Sequence, residues 1–102
     1  MDDPQVTDHP ELRRFEARSR GELAGVVTYD IGDEKMVLIH TEVEQAFEGK
    51  GVGGRLARAA LESARERGLR VVPRCPFVAV YLKRHPEFGD LVDEEDRSRY
   101  LT

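Results

Sequence analysis

A glycine-rich segment, Phe47 to Leu56, constrains this sequence most, because it stands between two different hydrophobic periodicities. The residues before it, Met36 to Glu44, read as a strand. The apolar residues after it recur at helical spacing, so the glycines open a helix over residues 51–67. Glycine permits positive φ and the close approach of a ligand, and a helix N-terminus offers unpaired N–H groups to an anion. The segment therefore predicts a phosphate-binding turn.

Three classes of ligand use such a turn, and two of them fit poorly. An ATP loop of the form GxxxxGK[ST] is absent, since Lys50 is followed by Gly51 and not by Ser or Thr. The dinucleotide pattern GxGxxG matches by letter at Gly49, Gly51 and Gly54. Two predicted strands already precede the strand that leads into the turn, however, and only about fifty residues follow the turn, which is too few for a doubly wound domain. The next strand also ends in Pro73-Arg74, without an acidic residue for a ribose.

The third class of ligand is acyl-CoA. The segment Thr41 to Gly53 resembles the acyl-CoA-binding segment of the GNAT superfamily of N-acetyltransferases. The signature of that superfamily is Gln or Arg, two residues, Gly, one residue, and Gly or Ala. Glu48, Gly51 and Gly53 hold those positions here. Glu48 departs from the pattern, and a carboxylate beside a pyrophosphate is repulsive. We therefore expect backbone donors to bind the pyrophosphate, with reduced affinity.

Two further blocks, His40 to Val43 and Cys75 to Phe88, resemble a subgroup of very small, single-domain GNAT-like proteins. The resemblance covers roughly residues 11–92. It implies acetyl-CoA or CoA as the cofactor and an unknown amine as the acceptor. It also implies these cofactor-binding residues: Val43, Glu44, Glu48, Gly49, Lys50, Gly51, Val52, Gly53, Gly54 and Arg55.

The cofactor residues differ in what they are expected to contact. The backbone N–H groups of residues 48–53 are the candidates for the pyrophosphate. Lys50 and Arg55 could add charge-assisted contacts, although exposed basic residues need no such role. The resemblance also implies that the backbone of Glu42, Val43 and Glu44 pairs with the pantetheine arm in the manner of an added strand.

Cys75 is the single cysteine and follows the short predicted strand at residues 69–72. We expect it near the point where that strand and the strand at residues 36–44 splay apart. A thiolate there could attack the acyl group, and Arg74 and the next helix N-terminus would favour the thiolate. The alternative is a buried small apolar residue, which free cysteines commonly are.

His40, Glu42 and Tyr81 complete the catalytic candidates. His40 and Glu42 share one face of a strand, since they are two residues apart, and either could act as a general base. The alternatives are an ion pair of Glu42 with an arginine and an ordinary strand role for His40. Tyr81 aligns with the family tyrosine that protonates the departing CoA thiolate, but its helical spacing from Phe77 also suits a core residue. No metal site is expected, because these residues show no ligand spacing: His9, His40, His85 and Cys75.

Composition narrows the class of protein. At 102 residues with 39% hydrophobic and 35% charged residues, the chain suits a folded globular protein. A net charge of −4 argues against a dedicated nucleic-acid binder. A single cysteine fits a reducing compartment. No apolar run approaches the roughly twenty residues of a membrane span, and the N-terminus is acidic. We therefore expect a cytoplasmic protein that binds neither membrane nor nucleic acid.

The predicted organisation is a flexible tail at residues 1–10 and one GNAT-like domain at residues 11–102. Strands are predicted at residues 12–18 (an edge strand), 23–30, 36–44 and 69–72, with the last parallel to the third. Helices are predicted at residues 51–67, ending at Gly68, and from Pro76 to Pro86. Phe88 to Val92 could form a last strand or turn. The predicted class is α/β (α+β), a minimal GNAT-like fold with a mixed, mostly antiparallel sheet and two main helices.

The acceptor side of the domain is predicted to be short. A full GNAT domain has two helices between its first and second strands, which wall the acceptor site, and Ser19 to Glu22 stand in their place here. Three functions remain open at this point: an N-acetyltransferase, a non-catalytic CoA-binding module, and an interaction domain whose glycine turn only connects a strand to a helix. A monomer or a weak dimer is expected, since the predicted edge strand could pair with another chain.

Overall fold

The computed structural model describes residues 4–102. Its elements are β1 (Gln5–His9), β2 (Arg14–Ser19), β3 (Glu22–Gly32), β4 (Lys35–Val43), α1 (Val52–Glu66), β5 (Arg70–Pro73), α2 (Pro76–Arg84) and α3 (Glu94–Tyr100). Within these residues the sheet has five strands in the order β1-β2-β3-β4-β5. The first four are antiparallel, and β5 runs parallel to β4. The predicted class, with a mixed and mostly antiparallel sheet, is confirmed.

The expectation of a loose tail is wrong for residues 5–9, which form β1 and pair with β2 from Gln5 opposite Arg18 to His9 opposite Arg14. Consequently β2 lies between β1 and β3, and the prediction that it is an edge strand is also wrong. Its poor apolar alternation has another cause, because the buried side chain of Glu16 is held by ion pairs. Residues 1–3 of the predicted tail lie outside the described residues.

Helix α1 packs its apolar side on the sheet. Its buried side chains recur every three or four residues, as the sequence predicts, and include Val52, Leu56 and Ala60. The helix approaches β3 closely at Gly25, where a Cβ would lie 3.1 Å from Val52 and 3.2 Å from Leu56. Gly68 has a φ of +68°, so the predicted glycine stop after the helix is confirmed.

The chain after β5 covers the end of the sheet. Helix α2 begins at Pro76, as predicted, and Phe88 lies in a 3₁₀ turn, Pro86–Leu91. The sequence did not predict α3, whose seven residues are mostly charged. Ion pairs tie its start to the sheet: Arg70 Nε lies 2.8 Å from Asp93, and Lys35 Nζ lies 3.4 Å from Asp93. No helix in residues 4–102 is long and apolar enough to cross a membrane.

Candidate functional site

The glycine turn leads into the N-terminus of α1. Gly49 and Gly51 have φ values of +80° and +79°, a backbone conformation that residues other than glycine rarely adopt. Arg55 N–H donates to Gly51 O at 3.1 Å and closes the first helical turn. The N–H groups of Val52, Gly53 and Gly54 come before this first donor and have no acceptor within the helix. They therefore need partners outside it. The turn therefore presents backbone donors at the positive end of a helix dipole.

A groove of about 250 Å³ lies beside this turn. One side is the end of β4 and the 3₁₀ turn Gln45–Phe47, and the other is the start of α1 with the first turn of α2. Its lining residues are Val43, Phe47, Glu48, Gly49, Gly51, Val52, Gly53, Gly54 and Phe77. Seven of the predicted cofactor residues thus line one groove.

The wall of the groove depends on a contact between Gly53 and Phe77. A Cβ on Gly53 would lie 2.7 Å from Phe77 Cζ, which is shorter than a real contact. The aromatic ring therefore rests directly on the helix backbone, and it stays 45% exposed on its other side. Phe77 brings α2 to the mouth of the turn, and Gly53 is required for that approach.

Beyond Leu38, one edge of β4 pairs with no strand of residues 4–102, and we call it the free edge. Pairing of β5 with β4 runs from Lys35 to Leu38, and Cys75 N–H then donates to Leu38 O at 2.8 Å. The register of β4 against β3 shifts between Thr28 and Tyr29, which marks a bulge at this point. β4 and β5 therefore separate after Leu38, as the sequence predicts. β4 continues to Val43 alongside the groove.

The backbone groups along this free edge alternate in direction. Glu44 N–H donates to Ala24 O at 2.8 Å, so that donor already belongs to the pairing with β3. Because antiparallel strands alternate, the N–H and C=O groups of Val43 and Thr41 point away from β3 and toward the groove side. Of residues 42–44, the backbone of Val43 is therefore the best placed to pair with an extended ligand.

Cys75 lies at the fork between β4 and β5. Its side chain is 2% exposed, and Sγ lies 3.2 Å from Thr41 Oγ1, a hydrogen bond in which either atom could be the donor. Cys75 is also the residue that precedes α2, so its thiol lies near the start of that helix. The structure thus places the thiol at the predicted fork and adds a hydroxyl partner that the sequence did not reveal.

His40 and Glu42 lie on the opposite face of β4. Thr41 faces the helices through its contact with Cys75, and alternation turns the two neighbouring side chains to the other face. Both side chains are exposed. They share one face, as predicted, but the structure does not bring them together with the cysteine.

Tyr81 is half-buried between α1 and the chain that follows α2. Its ring stacks on the ring of His85, with the two ring centroids 3.9 Å apart. A Cβ on Gly54 would lie 3.8 Å from a carbon of the Tyr81 ring. The pKa of the Arg58 guanidinium is raised, mainly by Glu62 and to a lesser extent by Tyr81. The contacts of Tyr81 therefore lie with α1, whereas those of Cys75 lie with β4.

The remaining predicted residues surround the turn at the surface. Glu48, Lys50 and Arg55 are exposed, so their side chains can respond to a ligand charge. The donor set of this groove is a row of backbone N–H groups at a helix N-terminus, and such a set fits a pyrophosphate. In the part of the chain that the structure describes, no group of three or more His, Cys, Asp or Glu side chains could hold a metal ion.

Sequence reasoning missed Thr41 and Phe77 as site residues. Thr41 entered the prediction only as the first residue of the segment that resembles the acyl-CoA-binding segment, and Phe77 only through its helical spacing from Tyr81. A usable signal was present for Phe77, which follows Cys75-Pro76 and is therefore fixed at the first turn of a helix that starts at the fork. For Thr41 no local signal exists, because its partner is 34 residues away.

These features define an acetyltransferase-type domain, and comparison with known proteins gives its family. A family model described as GCN5-related N-acetyl-transferase matches residues 14–91, so the chain belongs to that family. Members of this fold family generally bind acetyl-CoA and use an acceptor.

Similar proteins are found in vertebrates. Protein NATD1 of Xenopus tropicalis is 34% identical over 84 residues, which cover 80% of this chain and 77% of that protein. Protein NATD1 of Homo sapiens is 34% identical over 86 residues, which cover 81% and 76%.

Solved structures support the same fold. The solution structure of a GCN5-like protein from Staphylococcus aureus has a TM-score of 0.68 at 24% identity, and the match covers 91% of each chain. Ard1 from Thermoplasma volcanium has a TM-score of 0.53 at 21% identity, covering 58% of this chain and 41% of that one. At these identities the two structures establish the fold alone.

Proposed function

We propose that this protein is an N-acetyltransferase that transfers an acetyl group from acetyl-CoA to an amine. The observation that carries the proposal is the arrangement of three features along β4. Backbone donors at the start of α1 open into the groove, the groove follows the free edge of β4 at Val43, and the fork holds Cys75 against Thr41. Acetyl-CoA supplies an activated thioester, and this path matches a molecule with a pyrophosphate at one end and a thioester at the other.

Each residue has a defined part in the proposal. The N–H groups of residues 52–54 bind the pyrophosphate, and the exposed side chains of Lys50 and Arg55 add positive charge. The outward-facing backbone of Val43 orients the pantetheine arm. Phe77 forms the wall of the groove.

The transfer step has two routes, which the chain's own residues distinguish. In the direct route, His40 or Glu42 accepts a proton from the amine as the amine attacks the thioester carbonyl. In the covalent route, the Cys75 thiolate attacks that carbonyl, a C–S bond to the enzyme forms, and the C–S bond to CoA breaks. The amine then attacks the acetyl-cysteine, the C–S bond to the enzyme breaks and releases the thiolate, and the proton that the amine loses passes to solvent. In both routes Tyr81 is proposed to donate the proton that the departing CoA sulfur takes up.

A CoA-binding module without transferase activity is the second candidate. It is favoured by Glu48, which brings a carboxylate to a groove for an anion, and by the exposed positions of His40 and Glu42. The two candidates share the groove and differ in whether an acceptor is acetylated.

A calorimetric titration with acetyl-CoA, with ATP and NAD as controls, tests the site. Micromolar binding of acetyl-CoA alone is the expected result. A screen of amine acceptors with radiolabelled acetyl-CoA then tests transfer. Absence of binding would contradict both candidates and favour an interaction domain, whereas binding without transfer to any amine would favour the module.

A further inference from the structure

The face of the sheet that carries His40 and Glu42 is open near β2 and β3. Helix α1 packs on the opposite face, against Val27 and the other core side chains. Strands β2 and β3 are joined by a two-residue turn, Arg20–Gly21, so no helix of residues 4–102 lies between these strands in the chain. An acceptor that reaches β4 on this side meets the exposed side chains of His40 and Glu42.

A buried carboxylate organises the centre of this open face. Glu16 on β2 is 2% exposed. Arg14 donates to its Oε2 through Nε at 2.9 Å and Nη2 at 2.6 Å, and Arg18 donates to its Oε1 through Nε at 3.3 Å and Nη2 at 3.2 Å. His9 Nε2 lies 3.3 Å from the same carboxylate. The hydrogen bonds from Arg14, and to a smaller extent those from Arg18, hold the pKa of Glu16 below its ordinary value despite burial.

This arrangement leaves positive charge at the surface. Two guanidinium groups face one carboxylate, so one positive charge is in excess before any charge on His9. The side chains of Arg14 and Arg18 are 32% and 45% exposed, whereas Glu16 is covered by them. The carboxylate fixes both guanidinium groups in place, which lowers the entropy lost when they bind another carboxylate. On a chain with a net charge of −4, this local excess stands out.

Strand register connects the arginines to the candidate acceptor site. Arg14 pairs with Thr28, and Thr28 pairs with His40. In the next row, Glu16 pairs with Val26, and Val26 pairs with Glu42. These side chains therefore form rows across one face of the sheet. Two strand spacings separate β2 from β4, a distance of roughly 10 Å. An extended polypeptide covers roughly that distance in three residues.

The exposure of these side chains favours a polypeptide over a small amine. Small ligands gain their affinity from clefts that bury most of their surface, whereas Arg14 and Arg18 are 32% and 45% exposed and His40 and Glu42 are exposed on the same face. A peptide instead distributes its contacts over several side chains. We propose that Arg14 and Arg18 dock an acidic side chain of a polypeptide acceptor, and that this contact places an amine about three residues away at His40 and Glu42 on β4. The inference rests on the proposed transferase function.

Two synthetic peptides of equal length test the inference. Each carries one lysine, with glutamates three residues to either side in one peptide and glutamines in the other. We expect the glutamate peptide to have a KM about tenfold lower, as for one charge-assisted hydrogen-bonded contact. Binding of the fluorescent peptides, followed by anisotropy in the presence of CoA, gives a readout that does not require catalysis.

Arg18→Gln is the informative variant. Arg18 is the more exposed of the two arginines, and Arg14 keeps Glu16 paired, so the fold is retained. The variant should raise the KM and the Kd of the glutamate peptide about tenfold, close to the values of the glutamine peptide. Arg99→Gln on α3 is the matched control, because it removes the same charge from an exposed site on a helix that contacts β5, three strands from β2, and it should preserve the preference.

The outcomes separate this inference from the proposed function. Equal KM and Kd for the two peptides, or a preference that survives Arg18→Gln, would overturn the docking surface even if acetyl transfer occurs. A free polyamine acetylated as efficiently as the glutamate peptide would overturn it as well. Peptide binding that depends on Arg18, without acetylation, would support the surface while contradicting the transferase.

Discussion

The ring of Phe77 lies against the backbone of Gly53, so closely that a Cβ on the glycine would stand 2.7 Å from Cζ of the ring. This contact joins the first turns of α1 and α2 and forms one wall of the groove. A residue inside a helix is usually more stable as alanine than as glycine, by roughly 0.5–1 kcal/mol. Here the contact with the ring opposes that gain.

Gly53→Ala should therefore lower the free energy of unfolding. Overpacking costs about 1–3 kcal/mol, which exceeds the helix-propensity gain and leaves a net loss of about 1 kcal/mol. Urea unfolding measures it. In a Phe77→Ala background the clash is absent, and the same substitution should instead stabilise the protein by about 0.5–1 kcal/mol. The same sign in both backgrounds would contradict the proposed packing.

Glu48→Gln should strengthen the binding of acetyl-CoA. Two unit charges roughly 7 Å apart in water repel by about 0.6 kcal/mol, so removing the carboxylate should lower the Kd about threefold. Calorimetric titration at low salt measures the change. Glu66→Gln, at the opposite end of α1, is the matched control and should leave the Kd as it is. A weaker complex with Glu48→Gln would mean that the carboxylate contributes to binding.

Cys75→Ala decides between the two transfer routes. If the thiol carries the acetyl group, the variant should lose at least about a hundredfold in kcat and retain its affinity for acetyl-CoA. The wild-type protein, incubated with acetyl-CoA and no amine, should then gain one acetyl group on the peptide that contains Cys75, as detected by mass spectrometry. A variant that keeps full transfer would establish direct attack by the amine.

Tyr81→Phe tests the proposed acid. The substitution keeps the ring that stacks on His85 and removes the hydroxyl. We expect kcat to fall on the order of a hundredfold with little change in the Kd of acetyl-CoA. Tyr100→Phe on α3 serves as the control for loss of a phenol elsewhere. Full activity of the Tyr81 variant would assign the ring a packing role.

Tyr29 should make stability depend on pH in the alkaline range. Burial, together with the 2.6 Å hydrogen bond to Asp8, raises its pKa to about 12. The unfolded chain releases this proton at about pH 10, before the folded protein does, so the free energy of unfolding should fall between pH 10 and 12. Below pH 10 the stabilisation is fully present. Tyr29→Phe should be less stable at neutral pH by about 1 kcal/mol and should show a smaller alkaline loss. An equal alkaline loss in both proteins would contradict this assignment.

Local pattern predicted most of the fold. The strands at residues 22–32 and 35–43, the helix after the glycine turn and its stop at Gly68 all agree with the expectation, because each depends on residues close in sequence. The β1 strand was missed for the opposite reason. Its sequence, flanked by Pro4 and Pro10, has little apolar alternation, and it becomes a strand through pairing with β2.

The candidate site divides in the same way. The glycine turn could be recognised from sequence, since positive φ and a helix N-terminus are local properties. The contact of Thr41 with Cys75 and that of Gly53 with Phe77 join residues 34 and 24 positions apart, and neither has a local signature. His40 and Glu42 lie on the face of β4 opposite Cys75 because side chains alternate along a strand. The sequence shows that alternation, but only the contact of Thr41 with Cys75 shows which face is turned toward the helices.

The sequence by itself determined a strand, a glycine turn and a helix whose first N–H groups face outward, because backbone conformation there depends on the glycines and on hydrophobic periodicity. The tertiary structure decided what surrounds that turn. Only packing places the ring of Phe77 on Gly53, brings the hydroxyl of Thr41 to Cys75, and buries Glu16 beneath two arginines on the open face. These outcomes depend on side chains that meet across elements distant in the chain, and such contacts leave no pattern in the sequence around either partner.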